Sequence, residues 1–317
     1  MKYSLMSLMV DTELKLMKPN FIHMSILKDM GYEGNDPTID EVFEFLNAHG
    51  VPMKNGTMTF EDLVKLAKDC GYDGLDLMSF HFELPGAEAK EILDKYGIVL
   101  SAVNLIIPFA NASTEEKYQV MLSRAKATID QTSEAGCRNM LLMPTVYALD
   151  DGITMEQSFH YLTRGLKECV AYGKSRGVVI NTETLETAGV SYCTCGEMKR
   201  IFDEVEDLKY THDTGNPIVG LEDPVDMYEM FKDRVAAVHF KEFGYVDADN
   251  AKVCRNGRKV DSVPFGTGLI DFKKHLELLK RDNYQGYITL EGSVEEKDKI
   301  EGVKESIKYF RQMEAEL

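Results

Sequence analysis

Eight short strand-like stretches alternate with helical stretches along this chain, and that alternation restricts the fold more than any other feature. The strands are read at residues 3–9, 75–79, 98–105, 139–143, 177–183, 208–213, 235–239 and 287–291. Most of the helices open on a recognisable cap: Thr59-Phe-Glu-Asp62, Ser113-Thr-Glu-Glu116, Thr154-Met-Glu-Gln157, Thr194-Cys-Gly-Glu197, Asp223-Pro224, Asp271 and Ser293-Val-Glu-Glu296, with one more helix over residues 87–96. A hydroxyl or carboxylate at the N-cap takes up a backbone N–H that the helix itself cannot satisfy. Alternating strands and helices imply a parallel sheet. Eight such units predict a closed (β/α)8 TIM barrel, an α/β fold with its functional residues at the C-terminal strand ends. An open doubly wound sheet would carry Gly-x-Gly-x-x-Gly after strand one, and none follows it here.

The whole chain, 1–317, reads as a single barrel domain with two excursions. The first, residues 11–55, follows strand one and contains its own helix, opened by the capping box Thr38-Ile-Asp-Glu41 and carrying Val42, Phe43, Phe45 and Leu46. It is either a decorative subdomain, a lid over the site, or a contact between subunits of a homo-oligomer. The second, residues 243–264, follows strand seven. Asn256-Gly257, flanked by Lys252, Arg255, Arg258 and Lys259, predicts a hairpin with a type I′ turn over the active-site face. It is either a solvated hairpin or a cover for the substrate.

The strand ends carry the chemistry. Four strands finish on groups that bind metal ions: Glu183, Asp213, His239 and Glu291. Side chains alternate faces along a strand. Asn181, Thr211, Ala237 and Thr289 share the face of these four, while Ile180, Tyr210, Val238, Phe240, Ile288 and Leu290 lie on the other. The small or polar face therefore points to the site and the apolar face to the helices. His212 falls on the apolar face and reads as structural. Three carboxylates and one imidazole form a hard donor set for one divalent ion, Mn²⁺ first, with Mg²⁺, Co²⁺, Fe²⁺ and Zn²⁺ also compatible.

Charge excludes several classes. With 36 Lys and Arg against 53 Asp and Glu, the formal net charge is −17, which argues against nucleic acid and against an anionic membrane as partners. No run is long and apolar enough to span a bilayer. Six cysteines without paired spacing point to free thiols in a reducing, cytoplasmic setting; the pair Cys193 and Cys195 lacks further soft ligands. The N-terminus reads as the first strand rather than a signal peptide. No Gly-rich helix entrance with clustered basic residues indicates a phosphate site.

At Gly177-Val-Val-Ile-Asn-Thr-Glu183, Asp213-Thr-Gly-Asn216, Val238-His-Phe-Lys241, Val263-Pro-Phe-Gly-Thr-Gly268 and Leu290-Glu-Gly292, the chain resembles the xylose isomerase-like barrel superfamily, in its sugar and sugar-phosphate isomerase/epimerase branch. The likeness runs from about Thr59 to the C-terminus. It implies that Glu183, Asp213, His239 and Glu291 bind one divalent metal, and that Glu183 and Glu291 also transfer the proton, as in ketose 3-epimerases. It implies substrate contacts from Asn216, where many relatives carry His, and from Lys241. His81, just beyond strand two, is read either as a further substrate contact or as a structural residue. The expectation is an isomerase or epimerase of a small carbohydrate. A lyase on the same scaffold, dehydrating a polyol-derived ketone or cleaving a keto-glycoside, is the alternative, and a non-catalytic sugar-binding subunit is a third reading. An abasic-site endonuclease of this fold would need extra strand-end histidines that the chain lacks.

Overall fold

The computed structural model describes residues 1–19, 27, 30–32, 34, 37–51, 54–144, 149–150, 152–188, 192–292 and 298–317. Seven barrel strands come first: β1 Lys2–Met6, β2 Gly74–Met78, β3 Val99–Ile106, β4 Asn139–Met143, β5 Val179–Thr182, β6 Lys209–Asp213 and β7 Val235–Phe240. Three short strands follow, β8 Phe243–Tyr245, β9 Lys252–Val253 and β10 Lys259–Ser262, and then the last barrel strand, β11 Tyr287–Leu290. The barrel closes in the order β1-β11-β7-β6-β5-β4-β3-β2, with every barrel pair parallel. The alternation in the sequence is thus a (β/α)8 barrel.

Strand parity sorts the side chains as expected. Tyr210 packs against Phe202 and Phe231 of the outer helices, and Phe240 against Phe272 and Phe310. Full burial of each such ring is worth about 1.5–3 kcal/mol. His212 is fully buried on that outer face, beside Tyr228 and with Nε2 3.3 Å from His275 Nδ1. Inside the barrel, Thr211 Oγ1 donates to Asn181 Oδ1, and Ser4 Oγ donates to Ser101 Oγ at 2.7 Å.

The caps explain where the helices begin. Thr59 and Asp62 form a capping box at Phe60–Cys70, and Thr194 and Glu197 form another at Cys195–Glu204. Thr154, Asp223 and Asp271 cap their helices as predicted. Two starts differ from the sequence reading. Thr114, not Ser113, accepts from Lys117 N at 3.2 Å, because the helix begins at Glu115. The last helix, Lys299–Ala315, is capped by Asp298, whose carboxylate takes the N–H groups of Ile300 and Glu301; residues 293–296 lie outside the described residues. Strand one is also shorter than expected, ending at Met6 and running on as a 3-10 helix over Ser7–Glu13.

The first excursion starts and ends on a pinched base: Lys15 N donates to Met58 O and Met58 N to Glu13 O, both at 2.8 Å. Helix α1, Ile39–Ala48, carries the expected capping box at Thr38 and Glu41. Its Val42, Phe43 and Leu46 form a small core with Leu27 and Ile39, separate from the barrel core. The second excursion is a three-stranded antiparallel sheet, β8-β10-β9, rather than a simple hairpin. Its turn is not type I′. Gly257 alone has positive φ, +81°, and its N–H meets Cys254 O at 2.9 Å while Cys254 N meets Arg258 O at 2.8 Å. That is a three-residue loop, in which a left-handed glycine after a type I turn restores the strand register.

Candidate metal centre and cavity

Glu183 follows β5, Asp213 ends β6, His239 sits near the end of β7, and Glu291 follows β11. The register pairs Asp213 with His239, and His239 with Thr289 on the other side, so the imidazole lies between its neighbours inside the barrel. Glu183 Oε2 is 3.3 Å from His239 Nδ1, and Glu291 Oε2 is 3.4 Å from the same nitrogen. Ligand atoms of Glu183, Asp213 and His239 all lie within 4.8 Å of one another.

The hydrogen bonding leaves these atoms open. Asp213 Oδ1 accepts from Gly215 N at 2.8 Å and Asn216 N at 2.6 Å, which leaves Oδ2 with no partner among the described residues. Among the described residues Glu183 Oε2 and His239 Nδ1 also lack a well-formed hydrogen bond, while His239 Nε2 faces away toward Asp76. An unsatisfied buried polar atom costs about 1–3 kcal/mol, and more when charged. Several of them converging on one point fit a cation, and the hard oxygen and imidazole donors suit a divalent ion.

Electrostatics agree. Burial pushes the Asp213 carboxyl up to about 8, against the pull of Lys241, and burial likewise raises Glu183. Burial would lower Lys241, but Glu186 and Glu291 hold it well above its ordinary value. Burial would lower His239 too, and Asp76, Glu183 and Glu291 outweigh it. Burial would raise Glu291, yet Lys241 and His239 bring it down to about 2. The cluster holds more carboxylates than cations, and a divalent ion would relieve that excess.

Glu291 has a second engagement. Its Oε1 is 2.7 Å from Lys241 Nζ, so one oxygen faces the centre while the other holds the lysine. Asn216, the third residue after Asp213, donates from Nδ2 to Thr184 O at 2.9 Å, which fixes the amide and leaves Oδ1 without a partner among the described residues. Glu242 is turned away from the site. It accepts from Gly266 N at 3.1 Å and Ile270 N at 3.0 Å, and a Cβ at Gly268 would stand 2.4 Å from Glu242 Oε1. The Phe-Gly-Thr-Gly segment is therefore glycine-rich because it wraps closely around this carboxylate.

Three more residues join the site without having been singled out in the sequence. Asp76, fully buried in β2, lies 3.3 Å through Oδ2 from His239 Nε2; it also accepts from Thr289 Oγ1 at 2.7 Å and from Asn104 Nδ2 at 2.5 Å. A carboxylate on the far side of a ligating imidazole fixes the ring and its tautomer. Its signal was present: Leu75-Asp76-Leu77-Met78 places one charge inside an apolar strand. Glu186, three residues past Glu183, lies 3.0 Å from Lys241 Nζ and 3.7 Å from Lys252 Nζ of the hairpin sheet. Asn104, in β3, has an Oδ1 with no partner among the described residues. The hairpin's other basic residues have acidic or aromatic neighbours: Arg255 meets Glu197, Lys259 meets Asp249, and Arg258 lies over Tyr245. His81 is placed outside the cavity lining; its Nδ1 is 2.9 Å from Ser7 Oγ, and burial lowers its pKa to about 4.

A cavity of about 120 Å³ lies at these strand ends. Glu183, Glu186, Asn216, His239, Lys241 and Glu291 border it on one side, and methionine, leucine and isoleucine side chains on the other.

Residues 64–313 match the family described as xylose isomerase-like TIM barrel. An inosose dehydratase of Lacticaseibacillus casei is 29% identical over 113 residues, which are 32% of this chain and 37% of that enzyme, so the match spans about a third of the relative's length. Among solved structures, a probable 3-DHS dehydratase from Bacillus anthracis superposes with a TM-score of 0.67 at 13% identity, covering 98% of this chain and 99% of that one. A 3-keto-D-glucoside 4-epimerase from E. coli superposes at 0.61 with 16% identity, covering 80% and 94%.

Proposed function

The chain belongs to the xylose isomerase-like TIM barrel family, and from that premise we propose that it is a divalent-metal-dependent isomerase or epimerase of a sugar or sugar derivative, working by proton transfer at the carbon beside a carbonyl. The observation that carries this reading is the convergence of Glu183 and Glu291 on His239 Nδ1, at 3.3 and 3.4 Å, from strands that have β6 and β7 between them. A divalent ion, Mn²⁺ first, held by Glu183, Asp213, His239 and Glu291 would polarise the carbonyl and acidify the neighbouring C–H. Glu183 and Glu291 reach the centre from β5 and β11, with two strands between them, and in this reading one takes the proton while the other returns one to the opposite face. Lys241 keeps Glu291 ionised and ready to act as a base. The open Oδ1 of Asn216 accepts a substrate hydroxyl.

The test is turnover of α-hydroxyketone sugars in D₂O with added Mn²⁺, followed by mass spectrometry and NMR. One solvent deuterium is expected on the carbon beside the carbonyl. Glu183→Gln and Glu291→Gln, compared at matched metal content, should lower exchange by about 10²-fold or more. Normal turnover without deuterium would replace proton transfer by a hydride shift and leave the two glutamates as ligands.

A lyase is the second reading, supported by the partial similarity to an inosose dehydratase. The same carbanion, once formed, can expel a hydroxyl or an alkoxide from the next carbon instead of being reprotonated. Product mass separates the two: unchanged for isomerisation or epimerisation, reduced by water or by an alcohol for elimination.

A further inference from the structure

We propose that the apolar side of the cavity seats a non-sugar substituent, so that the substrate is a glycoside with an apolar, ring-type aglycone rather than a free sugar; this rests on the reading of the carboxylate side as a sugar-enolising centre. Met6, Met78, Ile106 and Met143 stand at the C-terminal ends of β1 to β4, with Leu8 just past β1, and all five border the cavity. They face the carboxylate, imidazole and lysine groups across it. None of these five side chains offers a hydrogen-bonding group stronger than a thioether.

A free sugar carries a hydroxyl on nearly every carbon. Held at the carboxylate side by its carbonyl and neighbouring hydroxyl, it would turn further hydroxyls toward this wall. Each would exchange water for sulfur or methyl, an unfavourable trade. An apolar ring has the opposite preference. Three methionines give a wall that is flexible and polarisable, adapts to rings of different outline and makes favourable sulfur–aromatic contacts. The wall also has one open polar point. Asn104 borders the cavity, its Nδ2 is committed to Asp76, and its Oδ1 is a buried acceptor with no partner among the described residues. A hydroxyl on the aglycone would satisfy it.

The experiment uses the Mn²⁺-loaded protein labelled with ¹³C at the methionine methyls, titrated with methyl and phenyl β-glycosides of glucose, galactose and xylose and their 3-keto forms. Expected are shifts of the Met78 and Met143 methyls with the phenyl compounds, and binding about tenfold or more tighter than for the matched methyl compounds. Met78→Gln/Met143→Gln should erase that preference while metal content, which reports an intact centre, stays at the wild-type level. Met143→Gln alone, at the more exposed position, serves if the double variant does not fold. Equal binding of phenyl and methyl partners, a preference that survives the substitutions, or no methionine shift with any of the probes overturns the proposal. Failure of deuterium exchange with the phenyl preference intact would instead remove the enolisation reading and leave the aglycone seat.

Discussion

The two sides of the barrel mouth are built on opposite principles. Around β5, β6, β7 and β11 the strand ends present carboxylates, an imidazole and an ammonium, nearly all buried and several with atoms that no described residue satisfies. Around β1 to β4 the same positions carry methionine and isoleucine, packed to 2%, 4% and 9% exposure at Met6, Met78 and Met143. The first side is costly as it stands, and a bound cation would relieve that cost. The second is stable by itself and needs only a ligand that prefers it to water. On the function proposed above, chemistry and substrate choice would be separable on this scaffold, and substitutions on one side should leave the other's property in place.

The largest effect tests that separation on the polar side. His239→Ala and Asp213→Ala should bring bound metal from about one ion per chain to near zero, with solvent exchange falling by about 10³-fold or more. Metal analysis after dialysis checks the first and D₂O turnover the second; full occupancy in both variants would remove the centre. Next comes Asp76→Asn. Losing the carboxylate behind His239 should weaken metal binding by about 10- to 100-fold, read by competition with a chelating dye. An unchanged affinity would show that the imidazole is held by packing alone.

The hairpin sheet touches the polar side through Lys252 and Glu186. Replacing residues 247–258 by a tight turn should raise KM by about tenfold with metal content unchanged. Unchanged KM on the true substrate would make the sheet a surface feature. The smallest effect concerns the apolar side, which His81 supports from behind through Ser7. Burial holds His81 neutral, with a pKa of about 4 in the fold against an ordinary value of 6.5. The unfolded chain therefore takes up a proton first as pH falls, and the stability present above about pH 6.5 is lost between there and about pH 4. His81→Gln should move the midpoint of acid unfolding down by about half a pH unit, followed by circular dichroism. A midpoint that does not move would place His81 in contact with solvent.

The alternation of strands and capped helices was legible because period and capping are local: each needs only a few neighbouring residues. The candidate ligands were legible for a related reason, since a charge at the end of an apolar strand stands out against its own surroundings. Boundaries were less secure. Ser113 and Thr114 can both cap, and only the backbone shows that Thr114 does. Asn256-Gly257 fits two turn types, and the choice went to the one that matched the register of β9 and β10.

What local pattern cannot carry is which inward-facing residues of distant strands meet. Asp76 reaches Thr289, 213 residues away, and the imidazole of His239, because β11 closes the barrel between β7 and β1 and brings their inner faces together. Glu186 acquires a role only when Lys241 and Lys252 arrive from the far side of β7. The methionines of β1, β2 and β4 look like ordinary core residues in the sequence and become one wall only around a closed ring of strands. The sequence alone determined the period, the caps and the kind of chemistry each strand end can support. The tertiary structure decided the neighbours, because side-chain contacts across a barrel depend on shear and closure, and no single strand contains either.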